Sequence, residues 1–239
     1  MAKRRGLVLA AGAVALLGGV GALGALAVWG LVALVAPGPV EVRPAGGTGA
    51  ERPAFARPAE AGDEAWVAEA ARATGMPERA LAAYADADRW ARRELGCAVG
   101  WNTLAGIGWV ESHHGTLQGG AIDADGVARP HIRGIPLDGT NETLAIPDTD
   151  GGALDGDTEW DRAVGPLQFI PETWRIWASA GADPHNIDDA ARTAARYLCR
   201  LDGTLDTEEA WIRAVRSYND TLDYQQRVAA AASRYADAA

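Results

Sequence analysis

From about residue 62 onward, apolar residues recur every three or four positions in segments cut apart by Gly, Pro and Asp. That spacing belongs to helices that bury one face. The first such segment, Asp63–Thr74, carries Trp66, Val67 and Ala70 on one side and stops at Gly75. Pro77 suits the first turn of a second helix, which runs to about Leu95 with Leu81, Tyr84 and Trp90 inward. A third, Asn102–Ser112, is apolar or small on nearly every side. Helices are also predicted over Pro171–Ala180, Ile187–Leu201, Thr207–Tyr218 and Leu222–Ala236. Asn186 is placed to cap the second of these four, and Asp206 with Glu209 has the form of a capping box for the third.

Thr116 to Arg162 interrupts the helical period. It is crowded with Gly, Asp and Pro and holds two short β-like pieces, Val127–Ile132 and Leu144–Ile146. A connection of this length inside a compact domain is usually functional. It is expected to line a cleft, as a long loop or a small β-hairpin. With no strand ladder and no internal repeat, the fold class is mainly α.

The start of the chain is different. Lys3, Arg4 and Arg5 precede an uncharged run from Gly6 to Ala36. The run exceeds the roughly 20 residues that cross a bilayer, and also the apolar core of a cleaved signal, roughly 7–15 residues. Basic residues stay on the cytoplasmic side. The organisation expected is therefore a tail (1–5), a transmembrane anchor (6–36), a Pro- and Gly-rich linker (37–61) and an extracytoplasmic domain (62–239), with a long cleaved signal as the alternative to the anchor. The net charge is −10; Lys3, Arg4 and Arg5 are the only charges in the first 40 residues, so the remainder carries −13. An acidic domain is not held to nucleic acid by counterion release. Two cysteines, Cys97 and Cys199, in an exported chain favour a disulfide over two separate buried thiols. A zinc site built from them and two histidines lacks any close ligand pairing.

Candidate chemistry begins at Glu111. It is the only ionisable side chain of the Asn102–Ser112 segment and shares a face with Leu104, Ile107 and Gly108. Burial disfavours the charged form and raises a carboxyl pKa. A carboxylic acid still protonated near neutral pH suits general-acid catalysis; a half-exposed Glu at a helix end is the plainer alternative. A second motif, Gly165-Pro166-Leu167-Gln168-Phe169-Ile170-Pro171-Glu172-Thr173-Trp174, offers a rigid turn, an amide with donors and acceptors, and aromatic faces of the kind sugars stack on. Core packing is the competing reading for Trp174 and Trp177. A third motif, Ser217-Tyr218-Asn219, ends a helix with Trp211, Ile212 and Val215 inward, so that Tyr218 is placed to approach a buried carboxyl. His113 and His114 lack the His-Glu-x-x-His spacing of a metal site and read as cleft polar residues or surface caps. Neither a serine-hydrolase elbow nor a phosphate loop is present.

Glu111-Ser112 at the end of an apolar helix, Gly165-x-x-Gln168-Phe169-x-Pro171-x-Thr173-Trp174, Asp183-Pro184-x-Asn186-Ile187-x-Asp189-Ala190-Ala191 and the late Tyr218-Asn219 pair together resemble a lytic murein transglycosylase. The nearest group is the membrane-bound lytic transglycosylase B type, in its actinobacterial form, over about Asp63 to Tyr235. The resemblance implies a lysozyme-like α-helical fold and an extracytoplasmic enzyme acting on peptidoglycan glycan strands, without a cofactor. It implies Glu111 as catalytic acid and base, with Ser112, Gln168, Phe169, Tyr218 and Asn219 holding substrate or supporting the acid. Where such proteins often carry an Asp-Gly-Asp-Gly run linked to cation binding, this chain reads Ala178-Ser179-Ala180-Gly181-Ala182, so no metal is expected there. Asp148, Asp150, Asp155 and Asp157 form an acidic loop with oxygen ligands for calcium, but without EF-hand spacing. Two other functions stay open. One is a goose-lysozyme-like hydrolase in which a loop aspartate activates water; the other is a catalytically silent wall-binding scaffold.

Overall fold

The computed structural model describes residues 51–56, 64–141 and 143–239. Within them the apolar spacing resolves into helices α1 (Glu64–Thr74), α2 (Glu78–Glu94), α3 (Trp101–Ser112), α4 (Pro171–Trp177), α5 (Ile187–Cys199), α6 (Glu208–Tyr218) and α7 (Leu222–Ala238). The only two strands among them, β1 (Ala121–Ile122) and β2 (Ala128–Arg129), pair antiparallel as a small hairpin. The domain is therefore mainly helical, as its periodicity predicts. The expected tail and anchor lie outside the described residues. Among the described residues no helix is long and apolar enough to cross a membrane.

Helix α3 is buried at every position except Trp109, which is half-buried. An all-apolar helix has no polar side to give to water and must be surrounded. It packs on α2 and, most extensively, on α7, while α2 pairs with α5 and α6 bridges α5 to α7. Two glycines set the approach. A methyl at Gly106 would lie 2.7 Å from the Val228 carbonyl oxygen and 3.2 Å from Ala232 Cβ, and one at Gly108 would collide with the Tyr84 hydroxyl. Their missing side chains let α7 and the α2 tyrosine come to backbone distance of α3. The N-terminus of α3 is held by Asp88, fully buried on α2, which accepts from Val99 N at 3.2 Å and Gly100 N at 2.9 Å and pairs with Arg92.

Cys97, just before α3, and Cys199, at the end of α5, are joined in a disulfide with Cα atoms 6.2 Å apart. It ties the entry to α3 to the C-terminal end of α5.

Several local expectations change. Residues 51–56, assigned by composition to the linker, lie against the domain: Ala54 O accepts from Asn102 Nδ2 at 2.9 Å, and Phe55 packs beside Gly100. A single aromatic finding an apolar partner outweighs a Pro- and Gly-rich local composition. Helix α4 stops at Trp177 and not at Ala180, because Ala178 is extended. Leu144–Ile146 forms no strand; Ala145 makes one bridge with Asp138, and Leu144 is exposed. Asn186 caps α5 as predicted, its Oδ1 accepting from Asp188 N. The cap of α6 is Thr207, whose Oγ1 accepts from Ala210 N; Asp206 instead donates its backbone N–H to Thr204 Oγ1. The helix begins one residue later than the capping-box reading requires.

Candidate active site

Glu111 sits in the last turn of α3, 1 % exposed. Its Oε1 accepts a 2.6 Å hydrogen bond from the Tyr224 hydroxyl, and its Oε2 is buried with no partner among the described residues. Burial pushes its pKa up to about 8, against the opposing effects of the Tyr224 hydrogen bond and the Arg227 charge. At neutral pH it is a protonated acid with one oxygen held and the other free to donate. Among the described residues no carboxylate is hydrogen-bonded to it.

The chain leaves α3 abruptly. His113 and His114 adopt left-handed backbone, which lets His114 N reach back to Gly108 O at 2.8 Å. His114 is not a surface cap. It is buried, with its ring nitrogens against the Tyr84 and Tyr235 hydroxyls at 3.2 and 2.8 Å, and burial lowers its pKa to about 3. It is a neutral strut between α2, α3 and α7. His113 stays half-buried, stacked on Trp109 at 4.1 Å.

Ser112 is fully buried. Its hydroxyl donates to Pro166 O at 2.6 Å and accepts from Gly115 N at 2.7 Å. The serine thus fastens the acid-bearing helix end to the Gly165–Pro166 turn, and its contacts are with protein. Gln168 lies two residues further on. It takes a positive φ of 48°, uncommon for a residue with a side chain, and is 1 % exposed. Its Nε2 donates to Gly165 O at 2.8 Å, and its Oε1 has no partner among the described residues. Gln168 thus combines an uncommon backbone conformation with a buried acceptor oxygen that the described residues leave unpaired.

Phe169 is a core residue, 3 % exposed. It meets Trp174 and Tyr218 edge to face at 5.4 and 5.6 Å. The sugar-stacking faces expected of Phe169 and Trp174 are consequently covered by protein. Trp177 is half-buried, edge-on to Tyr197. Tyr218 lies near the acid but does not bond to it; its hydroxyl donates to Leu167 O at 2.7 Å, and its ring is parallel to that of Tyr224 with centroids 6.4 Å apart. Asn219 ends α6, and its Oδ1 accepts from Thr221 N, shaping the turn that launches α7.

The residue that touches the acid, Tyr224, carries no local signal beyond an apolar-face position on the last helix. It arrives there because Thr221 caps α7, accepting from Tyr224 N, and because the glycine contacts draw α7 onto α3. A hydroxyl donating to a carboxylate stabilises the charged form. Tyr224→Phe should therefore raise the Glu111 titration midpoint above about 8. Carbon-detected NMR of labelled Glu reads this directly, and an unchanged midpoint would break the assigned contact.

The acidic loop folds upon itself. Asp148 accepts from Gly151 N and Gly152 N, Asp150 from Ala153 N and Leu154 N, Asp155 from Arg162 N, and Asp161 from Thr149 N and Oγ1. Asp157 holds the Arg162 guanidinium at 2.8 Å. These carboxylates replace backbone partners that so tight a loop lacks. Among the described residues no cluster of three His, Cys, Asp or Glu is arranged to hold a metal ion.

Comparison of the chain with family models, curated proteins and solved structures finds no match.

Proposed function

We propose that the protein is a lytic transglycosylase that cleaves the MurNAc–GlcNAc bond of peptidoglycan glycan strands and leaves 1,6-anhydro-MurNAc ends, in cell-wall remodelling. On this reading the domain is lysozyme-like. The observation that carries the proposal is Glu111: a buried, neutral carboxyl with one oxygen tied to Tyr224 and the other unpartnered among the described residues. The reaction starts as Glu111 protonates the leaving glycosidic oxygen. The sugar passes through an oxocarbenium-like state. The carboxylate then takes the proton from the muramyl 6-hydroxyl as that oxygen closes on C1, which returns the proton to Glu111. Intramolecular attack gains from proximity, with effective molarities that reach roughly 10⁵–10⁸ M for well-placed groups. Gln168 Oε1, fixed by its own amide on Gly165 O, is an acceptor for an N–H or O–H of the sugar.

The disulfide fits an oxidising compartment. With the uncharged Gly6–Ala36 run it supports a single-pass membrane protein whose catalytic domain faces outward. A standard glycosidase uses two carboxyl groups close together. The goose-lysozyme-like alternative draws its second one from the acidic loop, whose carboxylates are engaged in folding that loop.

Mass analysis of muropeptides released from purified peptidoglycan tests the proposal. The expected products are one water lighter than those of a lysozyme and lack a reducing end. Hydrated, reducing products would instead establish a hydrolase, and no release at all a scaffold.

A further inference from the structure

Residues 128–134 run along two other segments of the chain. Ala128 N donates to His185 O at 2.8 Å, Gly165 N donates to Ile132 O at 3.0 Å, and Gly134 N donates to Ala163 O at 2.8 Å. A methyl at Gly165 would collide with Pro184 O, so all three segments meet at that turn. A methyl at Gly134 would lie 3.2 Å from Gln168 Oε1, so the run also passes directly over the unpaired acceptor. Between the first and last of these contacts the His131 ring lies on the His185 ring, with centroids 4.0 Å apart and planes 11° from parallel. His131 is exposed. His185 is 4 % exposed, and neither of its ring nitrogens has a hydrogen-bond partner among the described residues. A neutral imidazole carries one donor and one acceptor, and buried polar atoms are normally paired, so this stack is a weak seam.

A charge is harder still to place there. His131 and Arg133 from the loop oppose one on His185, and Asp183 from its own segment favours one. Asp183 is already engaged, its Oδ1 accepting from His185 N at 2.8 Å. Residues 163–169 bring no ionisable side chain. On α5, Asp188 is paired with Arg79 and Asp189 accepts from Asp183 N; on the hairpin, Asp123 is paired with Arg129. Burial dominates and lowers the His185 pKa from 6.5 to about 4.

We propose that the His131–His185 stack is an acid-sensitive latch, which holds residues 128–134 over the Gly165–Gln168 turn while His185 is neutral and releases them when that ring takes a proton. A ring swung out into water regains its ordinary affinity for a proton, so acid captures the open form. The effect begins below about pH 6.5, grows as pH falls and levels off near pH 4. Opening uncovers Gln168 Oε1. The latch needs no particular substrate and does not rest on the peptidoglycan reading.

Hydrogen exchange of the full chain at pH 7.5 and pH 5, corrected for the intrinsic exchange rate at each pH, tests it through the backbone N–H groups of Ala128, Gly134 and Gly165. Their protection should fall by roughly tenfold or more on acidification, as linkage to one buried imidazole requires, while that of α6 should not follow. His185→Phe keeps an aromatic ring in the stack and cannot be protonated, so the fall should vanish. His131→Phe keeps the cover and leaves His185 titratable, so the fall should remain. Equal protection of the wild type at the two pH values overturns the latch, and this comparison decides even where a variant does not fold. A fall that survives His185→Phe, or that disappears in His131→Phe, overturns the assignment to His185.

Discussion

Glu111→Gln is expected to lower the release of muropeptides by at least about 100-fold, since general-acid catalysis typically contributes roughly 10²–10⁴-fold. The same change should stabilise the domain at alkaline pH. The folded-state pKa is raised to about 8 from an ordinary 4.5 by burial. Between those values the unfolded chain has lost the proton that the folded chain keeps. Stability is thus fully present below about pH 4.5 and falls as pH rises toward 8, by roughly 3 kcal/mol at neutrality. Glutamine keeps the shape and carries no charge, so the variant avoids that loss. Wild-type activity should also decline as pH passes about 8, where the acid loses its proton. Paired measurements of product release and denaturant midpoints at pH 5 and pH 8 check both parts. A variant that stays active would show that Glu111 is not the acid, and one whose stability tracks wild type between those pH values would show that it is not a buried neutral group.

Removing the disulfide is expected to have the largest effect on stability. Cys97 and Cys199 are 102 residues apart in sequence, and both are buried. Closing a loop of that size restricts the unfolded chain by up to about 4–5 kcal/mol in the entropy model, and by roughly 2–4 kcal/mol in typical cases. For a domain of this size that corresponds to a fall of roughly 10 °C in Tm. Calorimetry of the protein with both cysteines changed to Ala, beside wild type with and without reductant, measures it. An equal Tm in all three samples would mean that packing around α2, α3 and α5 already restrains this loop.

Much of this architecture was legible because it rests on local periodicity. The seven helices follow apolar spacing and punctuation by Gly and Pro, and Asn186 acts at short range on Asp188 N. Burial of Glu111 was one of the two readings the sequence allowed, and the structure decides for it. A lone ionisable residue in a helix that is apolar on all sides has no exposed face to occupy. The pairing of Cys97 with Cys199 followed from their number and context.

Other features depend on which elements meet, and spacing carries no record of that. The sequence pattern pointed to Tyr218 as the acid's partner, yet Tyr218 bonds to Leu167 O and Tyr224 takes that place. Both tyrosines lie on inward faces, Tyr218 on α6 and Tyr224 on α7; α7 packs at backbone distance of α3 at Gly106, and it is the Tyr224 hydroxyl that reaches the carboxyl. Ser112 looked like a substrate group from its position beside the acid, but the Gly165–Pro166 turn folds over it and its hydroxyl donates to Pro166 O. His114 looked like a polar end of the helix until the left-handed turn carried it inward to Tyr84 and Tyr235. By itself, then, the sequence determined the helices, because they follow from local pattern, and favoured the disulfide from composition, while for the acid it left burial and a half-exposed helix end both open. The tertiary structure alone decided what surrounds that acid, because hydrogen bonds between residues a hundred positions apart depend on helix packing at a scale of an ångström.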